Sequence, residues 1–180
     1  KAIRLDARYT RAYECRGDAA LEGRDYQRAV EDFTKAIELE PDDPNIGSLH
    51  YRRGVAQLDQ SHFAEAADDF TVAIKHDATD ADSHAWRAAA WAGMERYREA
   101  LDDVNRAMEL QPARSEEYHP VGQSAAEAAV PKLSQVISRD QTNFEAFRDR
   151  GAAHEYLNDG TAALADYNMA IQVAPNVADT

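Results

Sequence analysis

The chain is expected to be all-α, a solenoid of antiparallel helix pairs, and three observations in the sequence carry that expectation. One unit, Arg11 to Pro41, keeps returning: Arg16-Gly17 recurs as Arg53-Gly54, Arg87-Ala88 and Arg150-Gly151, and Asp32-Phe33 recurs as Asp69-Phe70, Asp103-Val104 and Asp166-Tyr167. Inside each unit, apolar and small residues fall three and four apart, the spacing of one helical face. Matching residues of neighbouring units lie 37 or 34 apart, a period that marks stacked supersecondary units, each burying its face on the next.

From Thr10 to Gly23, the residues Ala12, Tyr13, Gly17, Ala20 and Leu21 define one face and predict a first helix, ended by Gly23-Arg24-Asp25. Tyr26, Ala29, Val30, Phe33, Ala36 and Ile37 predict a second, running to Pro41, which cannot continue it. Short side chains at Gly17, Ala20, Ala29 and Ala36 let the two helices approach closely. This repeat is placed at 10–41, the next at 47–78 and a third at 81–112, with the extra residues of the longer interval in the Pro/Asp/Asn-rich connection 41–46. A fourth clean unit occupies 144–175, with Gly160 where Tyr26, Phe63 and Tyr97 stand in the others. Residues 1–9 read as the tail of a truncated repeat, because Lys1 to Asp6 resembles Lys35 to Glu40, and 176–180 read as the start of a truncated connection.

Residues 113–143 match poorly and are expected to be a degenerate repeat with an irregular loop in 113–124. Ala113 to Tyr118 would make one helical turn and His119-Pro120-Val121-Gly122 would break it. Ser124-Ala125-Ala126-Glu127 would then cap a second helix, kinked at Pro131. A drifted repeat and a hinge or binding loop both fit that pattern.

A net charge of −13 without a basic run argues against nucleic acid and membrane surfaces as partners. No apolar run approaches the roughly 18 residues of a membrane-spanning helix. A single cysteine, Cys15, cannot form an internal disulfide, which fits a soluble protein of a reducing compartment such as the cytoplasm. The histidines form no ligand set, and there are no paired cysteines or glycine-rich phosphate loop, so no metal, cofactor or catalysis is expected. His50 and His84 occupy equivalent places in successive units, where packing is the better reading.

Taken together, Tyr13, Gly17, Ala20, Ala29, Phe33, Ala36 and Pro41 resemble the signature of the tetratricopeptide repeat family. The resemblance implies a right-handed superhelical solenoid whose first helices line a concave groove that holds partner proteins or peptides. On that basis the groove residues are Glu14 and Asp18, then Tyr51, Arg52, Val55 and Leu58, then Trp86 and Ala89, and finally Arg148 and Tyr156. Tyr51, Val55, Leu58 and Trp86 would form an apolar trough beside an acidic flank of Glu14, Asp18 and Glu22, suiting a peptide with an apolar anchor and basic flank; packing of Trp86 against the neighbouring unit fits its aromatic ring equally. The family's site for a chaperone's terminal carboxylate uses lysine, asparagine and arginine. Here Glu14, Asp18, Arg52, Asp82 and Trp86 stand in those places, so that ligand is disfavoured.

The sequence departs from the family pattern in placing arginine where a bulky aliphatic normally precedes the glycine. Arg16, Arg53, Arg87 and Arg150 are each followed 16 residues later by Asp32, Asp69, Asp103 and Asp166. That spacing sets an arginine on each first helix and a carboxylate on each second one, predicting a structural ladder of partly buried pairs. The function expected is a non-catalytic interaction scaffold. The alternatives are a regulatory or substrate-docking segment of a larger enzyme, such as a kinase or glycosyltransferase, and a self-association module.

Overall fold

A computed structural model describes residues 10–174. The expected repeat tail at 1–9, Pro175 and the connection at 176–180 lie outside the described residues. All regular structure among those described is helical, and the chain divides after Met94 into two compact units, each taken by itself below.

The first unit holds α1 (Thr10–Glu22), α2 (Tyr26–Leu39), α3 (Ile46–Asp59), α4 (Phe63–His76) and α5 (Ala81–Gly93). Consecutive helices pack on one another. The turns inside the pairs α1–α2 and α3–α4 each hinge on one residue with left-handed backbone, Arg24 at φ 59° and Ser61 at φ 60°. The Asp25 carboxylate then accepts the Arg28 N–H and caps α2, satisfying a donor that the helix cannot. Phe33 and Phe70 are fully buried. Each ring lies against the glycine of its own first helix: a Cβ on Gly17 would come within 2.8 Å of Phe33, and one on Gly54 within 3.0 Å of Phe70. Ala29, Phe33 and Ala36 continue into Ile46, Leu49 and Ala56, so one apolar seam joins the first helix pair to the second.

The second unit holds α6 (Tyr97–Leu110), a 3₁₀ turn at Pro112–Arg114, α7 (Ser115–Arg139), α8 (Phe144–Tyr156) and α9 (Gly160–Val173). Asn143 and Asp159 cap α8 and α9 by accepting the N–H groups of Ala146 and Ala162. Ile137, Ala146, Phe147 and Ala170 form its core, with Leu133 and Val173 packed against them.

The expected break at 119–122 is absent. One 25-residue helix, α7, runs through Pro120 and Pro131, so 113–124 is not an irregular loop and Ser124 starts no helix. The reason is tertiary. Tyr118, Gly122, Ala125, Ala126 and Ala129 are buried on one unbroken stripe that crosses the expected break, and burying it outweighs the backbone bond each proline removes.

Candidate functional site: the first-helix face and its arginine stitches

In three units the arginine reaches its aspartate through two parallel hydrogen bonds. Arg53 donates from Nε and Nη2 to Asp69 at 2.7 Å each; Arg150 donates to Asp166 at 2.8 and 2.6 Å; Arg16 donates to Asp32 at 2.6 and 2.5 Å. Asp32, Asp69, Asp103 and Asp166 are all buried. Arg87 belongs to the first unit and Asp103 to the second.

The remaining edge of the guanidinium does something the sequence reading missed: it crosses to the preceding second helix. Arg53 Nη1 donates to Thr34 at 3.1 Å, Arg87 Nη1 to Thr71 at 3.1 Å, and Arg150 Nη1 to Ser134 at 2.9 Å. One planar cation thus ties a helix pair together and, where it reaches back, ties that pair to its neighbour. A signal was present, because Thr34 and Thr71 each stand two residues past the buried aspartate.

His50 was also missed as a partner. Its Nδ1 lies 2.6 Å from Asp69 Oδ1, adding a third group to the Arg53–Asp69 pair. Burial is the largest influence on Asp69 and pushes its carboxyl up, but the hydrogen bonds from Arg53 and His50 outweigh it and hold the group below its ordinary value. The bonds to Asp32 and Asp166 likewise raise Arg16 and Arg150.

Between successive first helices, Arg52 Nη1 on α3 donates to both oxygens of Asp18 on α1 at 3.0 and 3.1 Å, while Nη2 donates to Ser48 at 3.0 Å. Asp18 is therefore neutralised, and the acidic flank reduces to Glu14 and Glu22. Tyr51, Val55 and Leu58 are half-buried on Ala66, Ala67, Phe70 and Ala90, with the Tyr51 ring edge-on to Phe70 at 6.0 Å. Ala89 is half-buried, whereas Trp86 on α5 is 41% exposed. Cys15 is exposed and His84 is buried.

In the second unit Arg148 donates to Asp149 at 2.8 Å. Tyr156 stacks on His119 at 5.3 Å, donates its hydroxyl to the His119 carbonyl at 3.2 Å, and lies so close to Gly122 that no Cβ would fit there. It is thus a packing residue of α8 against α7. Arg98, Asp102, Asn105, Glu155 and Tyr167 line a cleft of about 300 Å³ beside it. There the Tyr167 hydroxyl, donating to Glu155 at 2.6 Å, is pushed up to about 12 by burial and then by that bond. Among the described residues, no group of three or more His, Cys, Asp and Glu side chains could hold a metal ion, and no helix is long and apolar enough to cross a membrane.

The tetratricopeptide repeat family matches residues 10–43. No curated protein matches the chain in sequence. Solved structures do resemble it. YrrB, described as a tetratricopeptide-repeat protein with an unusual peptide-binding site, is 21% identical over 98% of this chain and 92% of its own, with a TM-score of 0.58. The OM64 tetratricopeptide-repeat domain of Arabidopsis is 25% identical over 64% of this chain and 93% of its own, with a TM-score of 0.59. The first such domain of Spaghetti (RPAP3), solved with the HSP90 peptide SRMEEVD, is 23% identical over 67% and 96%, with a TM-score of 0.56. Residues 10–43 are a tetratricopeptide repeat, and the chain has the tetratricopeptide-repeat fold, an all-α helical-repeat solenoid. The resemblance and the fold class read from the sequence are both borne out.

Proposed function

We propose that the chain is a non-catalytic scaffold that holds an extended segment of a partner protein against the first-helix face of its first unit. The observation that carries this reading is Trp86, a large aromatic side chain left 41% exposed in a unit where Phe33 and Phe70 are fully buried. Exposed aromatics flanked by small residues are where peptide side chains find most of their binding energy. Here Ala85 and Ala89 flank Trp86 on its helix, and the exposed edges of Tyr51, Val55 and Leu58 on α3 extend the apolar strip.

The segment that suits it has an apolar anchor for Trp86 and a lysine or arginine toward Glu14 and Glu22, a preference strengthened by the chain's net charge of −13. A terminal carboxylate of the chaperone type is a poor match. Of Glu14, Asp18, Arg52, Asp82 and Trp86, only Arg52 is basic, and its guanidinium is held by Asp18.

The test is selection from a random peptide library, followed by titration of the selected sequences. The reading expects apolar-plus-basic sequences whose affinity falls at least about tenfold in Trp86→Ala, as loss of an interface anchor does. Acidic sequences, or binding unchanged by both Trp86→Ala and Tyr51→Ala, would refute it.

A further inference from the structure

We propose that α7 is one of two forms of its segment, and that the first third of the helix can fold back about Ser124 to make a helix pair like those elsewhere in the chain. Arg24, Ser61, Glu95 and Asn158, at the turns of the regular pairs, all have left-handed backbone. Counting 34 residues back from Asn158 reaches Ser124, and Gln123-Ser124 repeats the Gln60-Ser61 of the second turn. Pro120 and Gly122 precede that point, and both weaken a continuous helix. Glu127 follows Ser124 at the spacing that caps a new one.

The charges carry the argument further. Positions 34 before Arg150 and Asp166 are Glu116 and Lys132, again 16 apart and opposite in sign, but with the signs exchanged. In a continuous helix such residues stand about 24 Å apart and cannot meet. Glu116 is exposed, while Lys132 bonds Glu95 at 2.5 Å. Folded back, the two would make the same cross-pair contact as the arginines and aspartates, run in reverse. Sizes compensate too: Glu117 stands where other units have Gly17, Gly54, Ala88 or Gly151, and Leu133, without a ring, stands where three of them have Phe33, Phe70 and Tyr167. The straight form is held by the buried stripe from Tyr118 to Ala129, to which Tyr156 adds its packing on His119 and Gly122. Folding back releases that ring and sets a short first helix beside α8, so a ligand that engages Tyr156 would shift the balance.

Spin labels at Ser115→Cys, the place of the exposed Cys15 and Trp86 in other pairs, and at Val136→Cys, in a Cys15→Ser background, read the two forms directly. Twenty-one residues of straight helix separate the sites by about 31 Å, whereas antiparallel helices packed about 10 Å apart bring them within about 15 Å. The expected result is a short-distance population that rises about tenfold in Ser124→Gly, because glycine adopts the left-handed turn without the Cβ penalty. It rises also in Tyr156→Ala, and it falls in Glu116→Lys, a change exposed to water in the straight form. A single long distance in the unaltered chain, Ser124→Gly and Tyr156→Ala overturns the proposal. So does a short population that Glu116→Lys leaves unchanged, or a broad distribution without a resolved short peak.

Discussion

Truncating Arg53 to alanine takes two hydrogen bonds from Asp69 and one from Thr34, leaving a carboxylate whose side chain is 5% exposed with His50 as its remaining ion-pair partner. Breaking a fully buried pair by removing one partner costs about 3–5 kcal/mol. Arg53 itself is 17% exposed, so water reaches part of the space it vacates, and His50 still faces Asp69. The expected loss is therefore about 2–3 kcal/mol, or about 4–12 °C in Tm for a chain of this size. Arg16 makes the same two bonds but is 45% exposed; water can replace it, and Arg16→Ala should cost about 1 kcal/mol. Both tryptophans of the chain, Trp86 and Trp91, lie on α5 in the same unit as these pairs, so urea denaturation followed by tryptophan fluorescence reports on that unit. Glu65→Ala, at an exposed site on α4, is the control. If Arg53→Ala falls within about 0.5 kcal/mol of Glu65→Ala, the range of ordinary surface changes, or if Arg16→Ala proves the costlier of the two arginine variants, the stitch argument is wrong.

Glycine substitutions should differ in sign: Gly122→Ala drives a Cβ into the Tyr156 ring and should lose about 1–3 kcal/mol, whereas Gly160→Ala, with open space around it, should gain up to about 1 kcal/mol. Chemical denaturation of each checks this. Phe33→Ala, at a fully buried ring, should cost about 3–5 kcal/mol and blur the first unit's transition. Asp69 is held below its ordinary 3.8, so the unfolded chain takes up that proton first. Its contribution is complete above about pH 4 and lost as pH falls through the folded value, and acid titration of Arg53→Ala should show a shallower loss than the unaltered chain. Tyr167 is shifted the other way, from 10.0 to about 12. Its contribution is full below pH 10.0 and lost as pH rises through about 12, a limb that Tyr167→Phe should remove.

The helical repeat was legible because it is written locally, in apolar spacing and in small residues opposite rings such as Gly17 and Phe33. The arginine–aspartate relation was legible for the same reason, as a constant interval of 16. What escaped is what depends on a neighbouring helix pair. Thr34 accepts from an arginine 19 residues on, and Asp18 meets Arg52 across 34 residues, contacts that no single unit specifies. Tyr156 read as a groove residue because its place on α8 matched the others, yet Gly122 on α7 lets its ring pack instead. At 113–124 local rules and tertiary burial disagree. Pro120 and a cap-like Ser124 argue for a break, and the buried stripe from Tyr118 to Ala129 carries the helix through.

The central claim is that the first-helix face of the first unit is the side on which a partner lies. Hydrogen exchange with and without a saturating library-selected peptide tests it most directly. The account expects slowed exchange along α3 and α5 around Tyr51, Val55 and Trp86, with the exposed sides of α2 and α4 at Glu31 and Asp68 unchanged. Slowing confined to α2 and α4, with Trp86 untouched, would contradict it.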